Sequence, residues 1–223
     1  MTERASSESS LMLYFHPLSS YCQKVLMALY ENDTPFAPRI VDLSDPAASA
    51  ALKKIWPIGK FPVLRDEAAD RTVPESSIII EYLAQHYPGQ TELVPADAEL
   101  ARQTRMRDRF YDLYVSEPMG KAVTDRLRPP GKSDSHGVEQ AKALLQVAYG
   151  MIDVEMSTKR WAMGEAISMA DCAAAPALFY ANKVMPLAPA FKNAAAYLDR
   201  LMQRPSFARA LDEAQPYLAM FPN

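Results

Sequence analysis

His16-Pro17-Leu18-Ser19-Ser20-Tyr21-Cys22-Gln23-Lys24-Val25 joins the apolar run Leu11-Met12-Leu13-Tyr14-Phe15 to a segment with Val25, Leu26 and Leu29 at helical spacing. The apolar run reads as a buried strand and residues 22–31 as a helix. The stretch between them concentrates reactive side chains at a helix N-terminus, where backbone N–H groups and the positive end of the helix dipole stabilise an anion. A hydroxyl in that turn that donates to a thiolate lowers the thiol's pKa. Two units down from about 8.5 takes only about 2.7 kcal/mol.

Ser20, with Gln23 three residues on, has capping-box spacing, which assigns the cap to Ser20 and leaves the Ser19 hydroxyl free. Ser19 is then either a donor to a thiolate or a second turn hydroxyl. Cys22 falls in the first helical turn, where a thiol can be acidified, although free cysteines are commonly buried and inert. Farther out, residues 39–41 read as a second strand. Asp45-Pro46 has the form of an N-cap with proline at the first position of a helix ending near Lys54. Val63-Leu64 and Thr72-Val73 flank a polar turn and suggest a hairpin, and a helix follows over residues 76–87. The order β-α-β-α-β-β-α calls for a small mixed sheet with helices on its faces.

Trp56-Pro57-Ile58-Gly59-Lys60-Phe61-Pro62-Val63-Leu64 places a proline directly before a strand. A cis Phe61-Pro62 bond would turn the Phe61 N–H and C=O outward to pair with an extended peptide; a trans proline opening the strand is the commoner state. In Val73-Pro74-Glu75-Ser76-Ser77, an acid and a hydroxyl sit at a helix mouth. Glu75 could accept an ammonium group, and the N–H and hydroxyl of Ser76 could hold a carboxylate. Capping is the competing role.

From Asp97 onward apolar residues recur only at three- and four-residue intervals, so the second half reads as all-helical. The breaker-rich piece 88–95 separates two domains, residues 11–91 and 92–223. Pro118 and Pro129-Pro130-Gly131 punctuate a long helix and a loop, and Pro176 predicts a kink in the helix beginning after Ser168. Ser168-Met169-Ala170-Asp171 has capping-box form, with Ala173-Ala174-Ala175 allowing close packing. Arg102, Arg105, Arg107 and Arg109, interleaved with Asp108 and Asp112, read as a solvated face with local ion pairs. Leu18, Phe110, Tyr111 and Tyr114 are candidate walls of an apolar cleft between the domains and the tail residues Tyr217 and Phe221 a candidate lid, with the core as the competing place for each.

The net charge of −3, from 24 Lys+Arg against 27 Asp+Glu, offers no footprint for nucleic acid or an anionic membrane. The polar first ten residues carry no apolar signal region, and no stretch reaches the length of a membrane span. The two cysteines, Cys22 and Cys172, form no metal-spaced cluster, so a reducing cytoplasm is the expected compartment and no metal is expected.

The thiol-activating turn, the proline-led strand and the Glu75-Ser76 helix start, in that order, resemble the N-terminal domain of the glutathione transferase family. The resemblance runs over nearly the whole chain from Leu11, and Ser168-Met169-Ala170-Asp171 resembles the family's N-capping motif. It implies an α/β thioredoxin-like domain followed by an all-α C-terminal domain, with glutathione as co-substrate. It places Ser19 where serine-type members carry their activating, catalytic hydroxyl. Phe61 would pair with the cysteinyl part of glutathione, Lys60 would lie near the glycyl carboxylate, and Glu75 and Ser76 would bind the γ-glutamyl end. The implied reaction is attack of the glutathione thiolate on a small hydrophobic electrophile, in a homodimer. Alternatives within the resemblance are a zeta-like isomerase, a thiol-disulfide reductase using Cys22, and a glutathione-binding protein without turnover. Tyr14, early in the first strand, is a further candidate hydroxyl, with a core or sheet-edge role competing.

Overall fold

The strand and helix on either side of the His16 turn are β1 (Leu11–Phe15) and α1 (Ser20–Glu31) in a computed structural model that describes residues 9–222. Most of the polar opening run therefore lies outside the described residues. Leu11, Leu13 and Phe15 alternate inward along β1, as a half-buried strand requires. The chain continues through β2 (Ala37–Ile40), α2 (Pro46–Ile55), β3 (Val63–Asp66), β4 (Arg71–Pro74) and α3 (Ser76–His86). The sheet order is β2-β1-β3-β4, with β1 parallel to β2 and antiparallel to β3, and β3–β4 the expected hairpin. Asp45 caps α2, accepting from the Ala47 N–H at 2.9 Å ahead of Pro46.

β2 begins two residues earlier than its spacing suggested, and three of its four residues are exposed. It is an edge strand, so it shows no apolar run and tolerates Pro38, which has no N–H to donate. Helix α1 is the opposite case. Residues 22–29 are all buried, because α1 packs on the sheet side by side with α3 and also against α7 and α9 of the helical half. Two polar side chains, Gln23 and Lys24, are thereby taken out of water.

The second half contains α4 (Ala98–Tyr111), α5 (Glu117–Asp125), α6 (Ser135–Met156), α7 (Met169–Val184), α8 (Lys192–Met202) and α9 (Pro205–Ala214), then a 3₁₀ segment, Gln215–Met220. Among the described residues its only β pairing is an isolated bridge between Trp161 and Gly164. Pro118 does not end the long helix: α4 passes into α5 through a π-helical turn, Asp112–Ser116. Helix α7 likewise continues through Pro176. The capping box at its start is buried and reciprocal. Asp171 Oδ2 accepts from the Ser168 N–H (2.8 Å) and Oγ–H (3.1 Å), while Oδ1 accepts from the Ala162 N–H (2.8 Å) and the Tyr197 hydroxyl (2.6 Å). No helix among the described residues is long and apolar enough to cross a membrane.

The expected solvated arginine face is only partly so. Arg102 pairs locally with Glu99 and Arg105 reaches Glu81 on α3, but Arg107 is buried against Glu155 of α6. Asp108 and Asp112 turn inward to Lys24. Alternating charge along a helix looks the same in sequence whether its partners are water or a buried cation on another helix.

Candidate active site

The N-cap of α1 is Ser19, not Ser20. Ser19 has extended backbone (φ −77°, ψ 124°), and its Oγ accepts from the Cys22 N–H at 3.4 Å. The preceding turn closes with the Ser19 N–H donating to the His16 carbonyl at 3.0 Å, which delivers residue 19 at the capping position. Gln23 completes no capping box: its Nε2 donates to the Pro17 carbonyl (2.8 Å) and to the Tyr180 hydroxyl (2.9 Å). Capping uses a lone pair of the Ser19 oxygen, so the hydroxyl proton is still available to a neighbouring anion.

His16 borders this turn. Its Nδ1 accepts from the Leu18 N–H at 3.2 Å, which leaves the proton on Nε2 in the neutral ring. The ring lies nearly parallel to Phe61 at 6.2 Å and edge-on to Tyr217 of the 3₁₀ segment at 4.8 Å. Burial lowers its pKa, with Asp42 opposing, so the imidazole is neutral at pH 7. Cys22 is wholly buried, and burial pushes its thiol up to about 12 despite opposing hydrogen bonds from Ser19 and His16.

Lys60, Phe61, Glu75 and Ser76 line one cleft of about 490 Å³, together with Pro62, and the Phe61–Pro62 peptide is cis. Ser19 is not among the residues lining that cleft; its helix neighbour Tyr21 is. Glu75 occupies the N-cap of α3 at φ 71° and makes no side-chain cap bond, so its carboxylate is not spent on the helix. A positive φ is costly for a residue with a Cβ, and such strain is commonly held at functional positions.

Tyr21, Arg109, Asp112 and Glu117 also line the cleft, and sequence spacing did not point to them. Three carboxylates, Glu75, Asp112 and Glu117, and two cations, Lys60 and Arg109, give it the chemistry of a site for a dipolar ligand. Burial first, then Asp112, Glu117 and Glu75 against the opposing Arg109, raises the Tyr21 phenol to about 12. It therefore remains a neutral hydroxyl at physiological pH. Behind the cleft, the fully buried Lys24 Nζ lies 2.7 Å from Asp108 Oδ1, 2.9 Å from Asp112 Oδ2 and 2.8 Å from Ser77 Oγ. Ser77 in turn donates to Asp108 Oδ2 at 2.6 Å. One lysine thus joins α1, the start of α3 and the α4–π-turn junction.

Of the candidate cleft walls, Phe110 and Tyr111 are core residues, at 6% and 0% exposed. Leu18 packs partly buried against the same core, and Phe221 stacks on Tyr180 at 5.3 Å. Tyr114 is exposed and Tyr217 covers His16. Among the described residues no group of three or more His, Cys, Asp or Glu is arranged to hold a metal ion.

The family model described as "Glutathione S-transferase, N-terminal domain" matches residues 13–91, and "Glutathione S-transferase, C-terminal domain" matches residues 115–205. A stringent starvation protein A homolog from Histophilus somni is 27% identical over 220 residues, covering 97% of each chain. Glutathione S-transferase GstB of Escherichia coli is 23% identical over 197 residues, covering 86% of this chain and 93% of its own. A glutathione S-transferase from Methylobacillus flagellatus, solved with GSH bound, superposes with a TM-score of 0.83 at 25% identity, over 90% of this chain and 98% of that one. With both domains matched in order and the architecture shared, the chain belongs to the glutathione S-transferase family.

Proposed function

We propose that the chain is a glutathione transferase in which Ser19 activates the thiol of bound glutathione. The observation that carries this reading is the gathering of Lys60, Phe61, Glu75 and Ser76 in one charged cleft that also takes in Tyr21, two residues beyond a hydroxyl-capped helix N-terminus. The tripeptide fits these residues. Lys60 suits a terminal carboxylate, Phe61 an extended peptide backbone, and Glu75 with Ser76 an α-amino acid end. The Ser19 hydroxyl donates to the sulfur while the helix terminus adds its field, so the thiolate is held ready to attack a small apolar electrophile. The glutathione sulfur forms the new bond, the electrophile's leaving group departs, and the thiol proton goes to solvent.

The buried Cys22, with its thiol pushed up to about 12, speaks for this chemistry over a disulfide exchange that would need an accessible thiolate. The finer reading includes a homodimer in a reducing cytoplasm. Ile78 and Met106, both about half exposed beside the Arg105–Glu81 pair, offer a face to a second copy. The relatives' names include both transferases and a starvation protein, so turnover has to be measured rather than taken from the fold.

The test is Ser19→Gly against wild type with glutathione and a chloronitroaromatic acceptor, with the bound thiolate titrated by ultraviolet absorbance. A hydrogen bond to a charged sulfur contributes about 1.5–3 kcal/mol, so turnover should fall about 10- to 150-fold and the thiol pKa should rise. Glycine keeps most of the capping propensity, which separates chemistry from folding. Wild-type turnover with an unchanged thiol pKa would remove Ser19 from the mechanism.

A further inference from the structure

The His16–Ser19 turn is covered by residues from the far end of the helical half. Tyr217 of the 3₁₀ segment stands edge-on to His16 at 4.8 Å, and Phe221 just beyond it lies nearly parallel to Tyr180 of α7 at 5.3 Å. Tyr180 is itself tied to the turn. Its hydroxyl accepts from Gln23 Nε2 at 2.9 Å, and the same nitrogen donates to the Pro17 carbonyl at 2.8 Å. The two ring contacts of the tail carry no charge. Among the described residues, 217–222 receive a single side-chain hydrogen bond, from Arg126 Nη1 to the Pro222 carbonyl at 2.8 Å.

Beside that bond lies a cavity of about 420 Å³ lined by Arg126, Lys183, Leu218 and Phe221, none of which borders the cleft of Lys60 and Glu75. Its volume is in the range of small-molecule sites, about 300–1,000 Å³. Arg126 directly follows α5 and Lys183 lies in the last turn of α7, and both are exposed. Neither has an ion-pair partner among the described residues. The acids nearest Arg126 along the chain are taken, Asp125 by Arg128 at 3.2 Å and Asp134 by Lys121, and no described acid lines the cavity. The Lys183 ammonium rests 5.0 Å from the Phe179 ring centre. The Pro222 carbonyl satisfies one N–H of Arg126 and leaves its charge unmatched. A carboxylate matches the charge and can take two guanidinium N–H groups at once.

We propose, on the transferase reading above, that the second substrate is an electrophile carrying an acidic group, which pairs with Arg126 and Lys183. The acid takes Arg126 from the Pro222 carbonyl and so undoes the side-chain bond that fastens the tail. The apolar, reacting part of the molecule then occupies the place of Tyr217 and Phe221, between Tyr180 and the His16–Ser19 turn. There the glutathione sulfur bonds to its electrophilic carbon, and the leaving group departs with the electron pair of the broken bond. A neutral electrophile has nothing to offer Arg126 and meets the tail still fastened.

The probes are 4-chloro-3,5-dinitrobenzoate and its methyl ester, each enzymatic rate being divided by the uncatalysed rate with glutathione because the ester is intrinsically more reactive. Wild type should prefer the acid at least about tenfold in kcat/KM, the scale of one hydrogen bond to a charged group. Arg126→Gln combined with Lys183→Gln, both at exposed positions, should bring that preference to within about twofold by raising KM for the acid. Arg126→Lys should retain more of it than Arg126→Gln, and Phe221→Ala should help the ester more than the acid. Equal use of acid and ester by wild type, or a preference kept by the double variant, would overturn the proposal and leave the transferase reading intact. If wild type turns over neither probe, that reading fails and binding decides this one. Calorimetric titration with 3,5-dinitrobenzoate, which has no leaving group, and with its methyl ester should then show the same preference, lost in Arg126→Gln. Equal affinities for the two would overturn it.

Discussion

Replacing Lys24 with methionine should be among the most damaging single changes in the chain, although the residue lies outside both cavities. The side-chain volume is kept and the buried charge is lost, so Asp108 (1% exposed) and Asp112 (5%) are left facing each other. Arg109, 3.4 Å from Asp112 and itself half exposed, compensates only the outer carboxylate. Breaking a buried pair by removing one partner costs about 3–5 kcal/mol. For a protein of this size that is roughly 2–4 °C per kcal/mol, or a fall in Tm of about 6–20 °C. The loss should also depend on pH. Burial already raises the pKa of folded Asp108 while Lys24 holds it down. An acid whose folded pKa exceeds its unfolded value contributes its stability below the unfolded value and loses it as pH rises through the folded one. Without Lys24 that folded pKa climbs further, so the gap to wild type should be widest near neutrality and close on acidification. Thermal unfolding followed by circular dichroism at fixed protein concentration, at about pH 8 and about pH 5, measures this. Asp108→Asn placed on Lys24→Met should recover at least half of the loss, because it removes the uncompensated charge. A Lys24→Met protein melting within 2 °C of wild type, by a limit set well inside the roughly 6–20 °C range, would refute the reasoning. So would a deficit unchanged between the two pH values.

Three smaller outcomes follow from single geometries. Glu75 sits at φ 71°, so Glu75→Gly should be more stable than Glu75→Ala by about 1 kcal/mol in urea unfolding, reversing the usual order, while both raise KM for glutathione. Cys22, buried and with its thiol near 12, should resist iodoacetamide at about pH 8 until denaturant is added, and Cys22→Ala should keep its turnover. Asp171→Asn puts an amide donor among the Ala162 and Ser168 N–H groups, and should cost about 3 kcal/mol in thermal unfolding, more than Tyr197→Phe, which removes one bond.

Local features were legible in the sequence where one period or one cap decides the conformation: β1, the Asp45-Pro46 helix start, the β3–β4 hairpin and the Ser168–Asp171 box. Lys60, Phe61, Glu75 and Ser76, singled out from their motifs, lie in one cleft. What escaped depends on partners far along the chain. Gln23 meets Tyr180 and Lys24 meets Asp112, 157 and 88 residues away, and a helix buried on every side gives its polar residues no distinguishing spacing. Ser19 and Ser20 have equally good local claims to the cap, and the turn closed on His16 settles it.

The acidic end of the cleft escaped for a different reason, which lies in Pro118. Five residues advance an α-helix by about 500°, so side chains at 112 and 117 would point about 140° apart. A reading by that period places only one of them at any site. Pro118 has no N–H, and its ring would press on the carbonyl of Tyr114 in an unbroken α-helix. The chain instead makes a π-turn, with the Glu117 N–H passing over Leu113 to the Asp112 carbonyl. A turn closed by an i→i+5 bond brings residue 117 back nearly over residue 112. Both carboxylates consequently face the cleft, and Asp112 stands with Lys24 behind it and open space before it. The residue that looked like a helix breaker thus sits where the π-turn brings two acids to one cleft, and restoring the missing N–H at position 118 would let the α register swing Glu117 away.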